Sequence, residues 1–194
     1  MKIPTQAEIE DILRDEDLNA WLDLWGAEQG PAKPAALKLI AAAIPSPVDR
    51  SLRVLDVGCG PGDAGRVIQS RFPEARIDFV DRNEFFVSLC DAVNRRDGVP
   101  GQTLVRDLSE PNWRRDLASE YDVVVAVNTV HWFTLAKGAE LFVEIFKSLR
   151  SGRARVRRVE KGTAKPAQVR RLATLLVASE ISNRLRLWLP RCST

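Results

Sequence analysis

One stretch of this chain gathers the groups best able to do chemistry: Arg53-Val54-Leu55-Asp56-Val57-Gly58-Cys59-Gly60-Pro61-Gly62-Asp63-Ala64-Gly65. A short apolar run carries a single carboxylate, Asp56, and then breaks into closely spaced glycines; a helical pattern resumes from about Asp63 to Arg71. Such a run reads as a buried parallel strand feeding a helix through a tight turn. Glycines in the turn allow φ > 0 and let the backbone come close to a ligand. The first N–H groups of the helix point back at the same place. In doubly wound sheets, ligands sit at this end of the strands. A carboxylate there repels a pyrophosphate and attracts an ammonium, so the chemistry on offer is capture of a polar ligand with a cationic end.

Two further positions extend that site. Asp81 closes a second apolar run, Arg76–Asp81, and falls 23 residues after Gly58. An acid about 20 residues beyond a glycine turn accepts hydrogen bonds from ribose hydroxyls; as a strand-terminal residue it could also cap the next helix. The only histidine, His131, follows a fourth run, Tyr121–Val127, within Asn128-Thr129-Val130-His131-Trp132-Phe133. An imidazole ordinarily titrates near neutrality and can serve as a general base; a helix cap or a packed ring is the structural alternative. Read from Gly60, Gly60-Pro61-Gly62-Asp63-Ala64-Gly65 also fits the G-x-G-x-x-G dinucleotide fingerprint. A nicotinamide-dependent enzyme is therefore a rival reading.

Val54-Leu55-Asp56-Val57-Gly58-Cys59-Gly60-Pro61-Gly62 resembles motif I of the class I methyltransferases that use S-adenosylmethionine (SAM). The resemblance runs roughly from Leu18 to Arg150. It implies that Gly58, Cys59, Gly60 and Gly62 shape the cofactor turn and that Asp56 orders the amino-acid end of SAM. Asp81 would hold the ribose and Arg82 would lie along the adenine face. Asp107, ending a third run at Thr103–Asp107, would bond the adenine amino group, with Leu108 packed on the ring. Asn128 to Phe133 corresponds to motif IV, beside the reactive methyl group. Its His131-Trp132-Phe133 is similar to small-molecule methyltransferases, including the trans-aconitate methyltransferase-like group. It is unlike the Asn/Asp-Pro-Pro-Tyr/Phe of nucleic-acid amino methyltransferases. The function implied is SAM-dependent methylation of a small molecule, with a carboxylate oxygen as the acceptor class. His131 is the candidate catalytic residue, as a general base, although a carboxylate acceptor is already anionic and would need none. No metal is implied. A SAM-binding protein without turnover is the other alternative.

These groups need a frame to hold them. The expected fold is α/β, a doubly wound and mostly parallel sheet of the Rossmann-like methyltransferase type, with strands near 53–57, 76–81, 103–107 and 121–127. Before it, Ala7 to Gly26 reads as one or two helices, with Leu18, Trp21, Leu22 and Trp25 at i, i+3, i+4, i+7. Pro34 to Ile44 reads as another helix, ended by Pro45-Ser46-Pro47. Residues 1–50 form an N-terminal helical cap that either packs on the domain or lids the substrate site. Residues 51–150 form the SAM-binding core. Its helices are Asn83–Arg96, with Phe86, Leu89, Cys90 and Val93 on one face, and Leu135–Leu149, with Leu141, Phe142, Ile145, Phe146 and Leu149 inward.

The 194 residues, 45% hydrophobic and 28% charged, suit a single globular domain. No apolar run approaches the roughly 18 residues of a membrane span. The N-terminus is acidic and lacks a signal core, so a cytoplasmic setting is expected. Cys59, Cys90 and Cys192 give neither a disulfide framework nor zinc spacing. Charge divides the chain. Through Leu149 there are 17 basic and 24 acidic residues; from Arg150 onward there are 12 and 2. Residues 151–194 are thus an atypical basic segment. Arg153, Arg155, Arg157 and Arg158 fall where the fold expects a buried fifth strand, a costly place for unpaired charge. The sheet is accordingly expected to be incomplete at this end, followed by a helix over Lys165–Asn183 and a last strand at Leu185–Leu189. Either the ending has diverged to an arginine-rich edge strand, or it comes from a shifted reading frame or altered splice junction. A nucleic-acid partner for the basic segment is the lesser reading, because few aromatics interleave with its charges.

Overall fold

The computed structural model describes residues 6–15, 17–29, 33–44, 51–118, 120–150, 155–158 and 174–178. Three helices come first: α1 (Gln6–Asp15), α2 (Leu18–Gln29) and α3 (Lys33–Ala43). Alternation follows: β1 (Arg53–Val57), α4 (Asp63–Arg71), β2 (Arg76–Asp81), α5 (Glu84–Asp97), β3 (Thr103–Val105) and β4 (Val123–Val127). A 3₁₀ turn (Val130–Trp132), α6 (Leu135–Ser148), β5 (Arg155–Arg158) and β6 (Thr174–Ala178) complete the described elements. The sheet order is β3-β2-β1-β4-β6-β5 and every pairing is parallel. The direction of winding reverses between β1 and β4, which opens a crevice at their carboxyl ends.

The apolar runs form strands because both faces of the sheet are covered. Val54, Ile77, Phe79, Val123 and Val125 turn to one face, where Leu37, Ile40 and Ala41 of α3 and Ala64 and Ile68 of α4 close over them. Leu55, Val57, Val80, Val124 and Ala126 turn to the other, against Leu141 and Ile145 of α6 and Trp113. Each such aliphatic side chain contributes about 1.5–3 kcal/mol by leaving water. On the outside, Ile9 and Leu13 of α1 pack on Leu89 and Val93 of α5, with Leu18, Trp21 and Leu22 of α2 alongside. Helix ends follow local chemistry. The Asn83 side chain accepts from the Phe86 N–H at 3.2 Å to start α5, and Gly98, at φ 68°, closes it. Thr134 caps α6 through the Lys137 N–H at 3.4 Å.

At the opposite end of the sheet from the crevice, Tyr121 is fully buried. Its hydroxyl donates to Asp78 Oδ2 at 2.7 Å and accepts from the Ala118 N–H at 3.1 Å. The second Asp78 oxygen accepts from the Gln102 N–H at 3.3 Å. Burial, and then the adjoining carboxylate, push the phenol's pKa up.

Several expectations are corrected. Helix α2 runs through Gly26 to Gln29; a helical glycine costs only about 1 kcal/mol, which the packing of α2 on α5 offsets. Strand β3 stops at Val105, and β4 starts at Val123, with Tyr121 making an isolated bridge to Leu149. Phe146, expected inward, is 37% exposed, because the inner face of α6 is already filled by Leu141, Ile145 and Leu149. Within the span expected as a helix over Lys165–Asn183, the described residues Thr174–Ala178 form strand β6, which pairs with all five residues of β4; the rest of that span lies outside the described residues. The arginines of β5 lie on the outside of β6, at the sheet edge. An edge tolerates charge that an interior strand does not, and charge there discourages further pairing. The sheet beyond β4 is thus extended by two strands among the described residues. Leu185–Leu189 lies outside them.

Candidate functional site

The crevice between β1 and β4 opens into a cavity of about 720 Å³. Its floor is the turn after β1. The Gly58 and Cys59 N–H groups both donate to Val80 O, at 2.8 and 3.1 Å, which pins the turn to β2. Gly58 sits at φ 67°, and a Cβ there would lie 2.4 Å from the Thr129 side chain. Thr129 in turn donates its hydroxyl to Val57 O at 2.9 Å, tying the ends of β1 and β4 together. Gly60, at φ 54°, leaves only 3.3 Å between an added Cβ and the Trp25 ring. Both positions therefore demand glycine for conformation and for clearance.

Carboxylates of three strand ends line this cavity, two of them at the turn. Asp56 is 1% exposed, and its Oδ2 accepts from the Gly65 N–H of α4 at 3.1 Å. Burial pushes its carboxyl from 3.8 up to about 7, against the lowering effect of that N–H; the nearby Asp63 and Asp81 raise it further. Asp81 is half-buried and uses both oxygens: Oδ2 accepts from the Gly60 N–H at 2.9 Å and Oδ1 from the Asn83 N–H at 2.9 Å. Capping of α5 itself falls to Asn83, so Asp81 braces the turn while facing the cavity. Asp107, also on the cavity wall, is exposed. It accepts from the Ser109 hydroxyl at 2.7 Å and the Ser109 N–H at 2.9 Å, which hold its pKa below the usual carboxylate range.

The remaining expected residues reach the same cavity. Leu108 is buried in its wall and Arg82 stands exposed at its edge. Cys59 is buried there, its thiol donating to Gly60 O at 3.2 Å, and burial pushes its pKa up, which makes it a poor nucleophile. Asn128 takes φ 55° at the end of β4 and is half-buried. His131 is exposed in the 3₁₀ turn; its ring leans on Trp132, centroids 5.0 Å apart. Trp132 is 76% exposed on the cavity wall.

The sequence offered the N-terminal helices as a lid but not the residues through which they reach the site. Trp25 of α2 and Lys33 of α3 line the cavity and converge on Asp63 at the start of α4. Asp63 Oδ2 accepts from Trp25 Nε1 at 3.0 Å and from Lys33 Nζ at 2.6 Å, while Oδ1 receives Arg66 at 2.6 Å. The Lys33 ammonium lies 4.9 Å from the Trp25 ring centroid, and that ring packs on Phe86 at 4.6 Å. Trp25 is visible in sequence only as part of an apolar stripe, and Asp63 only as a helix start. Among the described residues, no cluster of three or more His, Cys, Asp or Glu is arranged to hold a metal. No described helix is long and apolar enough to cross a membrane.

A family described as "Methyltransferase domain" matches residues 54–152, half of the chain. Trans-aconitate 2-methyltransferase of Mycobacterium ulcerans (strain Agy99) is 34% identical over 95 residues, 49% of this chain and 32% of that protein. Its counterpart in Rhodopseudomonas palustris (strain BisB18) is 29% identical over 86 residues, 44% of this chain and 30% of that protein. The chain thus spans about a third of the length of the curated relatives it matches. Among solved structures, a candidate O-methyltransferase from Nostoc punctiforme PCC 73102 is 27% identical, with a TM-score of 0.51, covering 61% of this chain and 34% of that one. The plantazolicin methyltransferase in complex with SAH shares the fold at 15% identity, with a TM-score of 0.51, over 75% of this chain and 54% of that one. The chain belongs to the methyltransferase domain family, among the class I members whose cofactor is S-adenosylmethionine.

Proposed function

We propose that this chain binds SAM in the cavity at the β1–β4 crevice and transfers its methyl group to a small molecule, at a carboxylate oxygen. The observation that carries the reading is that Asp56 and Asp81, held at one glycine turn, and Asp107 line one cavity. Three features support SAM as the ligand. A buried carboxyl with its pKa raised to about 7 gains most from a cationic partner, and SAM brings an ammonium and a sulfonium. Asp81 offers a carboxylate already oriented by two N–H groups, suited to ribose hydroxyls. Asp107 and the buried Leu108 suit the amino group and face of adenine. The acceptor class rests on relatives named trans-aconitate 2-methyltransferase.

SAM supplies a methyl carbon on a sulfonium; the acceptor oxygen's electron pair forms the C–O bond while the C–S pair returns to sulfur. A carboxylate acceptor loses no proton, so this chain need only align the two partners and exclude water. His131 has no hydrogen-bonded orienting group among the described residues, in keeping with a bystander role. Helices α1–α3 act in this reading as a cap, through Trp25 and Lys33.

Isothermal titration with SAM and with NAD tests the cofactor, and labelled-methyl transfer to a panel of carboxylic acids tests the reaction. Asp81→Ala should weaken SAM binding roughly 10- to 100-fold, the worth of hydrogen bonds to a charged group. Unchanged SAM affinity in that variant, or preference for NAD, refutes the assignment. A second reading, SAM binding without turnover, is favoured by the end of the family match at residue 152, where the composition turns basic. Tight SAM binding with no transfer to any acid of the panel would support it.

A further inference from the structure

Two residues other than glycine take a left-handed backbone among those described, Asp116 at φ 68° and Asn128 at φ 55°. That conformation is unfavourable for a residue with a side chain, least so for asparagine and aspartate, and it persists only where surrounding contacts impose it. At Asp116 a local contact accompanies it, for its carboxylate takes Arg106 Nη2 at 3.0 Å. At Asn128 the imposing contacts belong to the next residue. The Thr129 hydroxyl donates to Val57 O at 2.9 Å, and Thr129 O accepts from the Trp132 N–H at 3.2 Å. The Asn128 amide itself is half-buried on the cavity wall and makes no hydrogen bond to any described residue. An amide partly withdrawn from water gains from a partner. A strained backbone thus presents an unpartnered donor to the ligand space.

The order of the strands points to which ligand it meets. In the methyl-transfer reading above, on which this inference rests, the cofactor's contacts run from Asp107 after β3, through Asp81 of β2, to Asp56 of β1. The next strand is β4, whose Val125 stands in register with Asp56, and Asn128 follows three residues on. The cofactor is thus provided for on β1 to β3, and the β4 side is left to the acceptor. Asp56, Asp63, Asp81 and Asp107 line the same cavity and would repel an acid. A neutral amide N–H attracts one. We propose that Asn128 is the acceptor-positioning residue, its amide N–H donating to one oxygen of the acceptor's carboxylate. The other oxygen is then turned free to supply the electron pair of the new C–O bond, while the C–S pair returns to sulfur and no proton is lost.

The test uses the full chain as wild type, Asn128→Gly and Asn128→Asp. The probe is trans-aconitate, the acid in the relatives' names, titrated with and without saturating S-adenosylhomocysteine; SAM is titrated separately. Glycine relieves the backbone and removes the amide. In Asn128→Gly, Tm should hold or rise, SAM affinity should stay within about threefold, and probe affinity should fall about tenfold or more, the worth of a hydrogen bond to a charged group. Asn128→Asp keeps the size and the tolerance of left-handed backbone but puts a negative charge where the donor stood, so it should lose more probe affinity than Asn128→Gly. Equal probe affinity in all three chains, or no binding by wild type, overturns the proposal. A loss of SAM affinity beyond about tenfold in Asn128→Gly also overturns it, by giving the amide to the cofactor. Probe binding that depends on Asn128 in a chain that does not bind SAM refutes the methyl-transfer reading alone.

Discussion

Replacing Asp63 with alanine should release the N-terminal helices from the glycine turn while the sheet stays folded. The carboxylate takes one donor from α2, Trp25 Nε1 at 3.0 Å, and one from α3, Lys33 Nζ at 2.6 Å. A hydrogen bond to a charged group nets ~1.5–3 kcal/mol. The side chains of Asp63 and Lys33 retain 22% and 13% exposure, so solvent screening favours the low end of that range. Two contacts at or somewhat below that low end, once screened, give ~2–3 kcal/mol of hold on these helices. Helix α4 also loses an acid from its first turn, worth ~0.3–1 kcal/mol. Lys33→Met separates the two effects, because it removes one contact and leaves α4 intact. Asp63→Asn should fall between, keeping an acceptor for the indole but losing the charge. The assay is amide hydrogen exchange over residues 18–29, with β1 and β4 as internal controls. In Asp63→Ala, exchange of α2 amides that open with the helix should rise roughly 30- to 150-fold. Exchange within threefold of wild type would refute the latch, and an equal rise in β1 and β4 would show global destabilisation instead.

Three further outcomes are expected. Because burial holds the Asp56 carboxyl at about 7 rather than 3.8, the folded chain keeps a proton that the unfolded chain has lost between those values; stability should fall as pH rises through that window and level off above it. Tm should drop more steeply with pH in wild type than in Asp56→Asn, and parallel slopes would contradict the assignment. Gly60→Val places a branched side chain at φ 54° against Trp25, costing about 1–2 kcal/mol of stability and, by narrowing the turn, lowering SAM affinity more than about tenfold; a lowered Tm with unchanged affinity would misplace the turn. His131→Ala should change kcat less than about threefold at saturating acceptor, whereas a loss of ~10²–10⁴ would make it the base.

The parts legible in sequence are those with a local signature. Val54 to Val57 and Arg76 to Asp81 are short apolar runs closed by turn residues, and their acids, Asp56 and Asp81, meet at the turn that the glycines announce. Asn83 to Asp97 carries a cap, a period of 3.6 and a closing glycine. The latch was not legible: Trp25 and Asp63 stand 38 residues apart, and no periodicity links an indole N–H to a distant carboxylate. The basic segment was half legible. Its arginines correctly disqualify residues 155–158 from the sheet interior, and they occupy the edge. The run Thr174–Ala178, four of its five residues apolar, fits helix and buried strand equally well by period, and pairing with β4 decides between them.

The buried bond between Tyr121 and Asp78 has a spectroscopic consequence. Tyr121 is the only tyrosine in the chain, so every tyrosinate signal in an alkaline titration comes from one known place. A free phenol ionises near pH 10, but this one is shielded from solvent and donates its proton to a carboxylate that would repel a phenolate. Near pH 10 to 11 the native protein should therefore absorb as if it contained no ionisable tyrosine. Tyrosinate that appears in that range marks molecules whose sheet has parted at its far end, away from the cavity. The chain thus carries a label-free reporter for the loss of its frame, separate from any change in the site the frame supports.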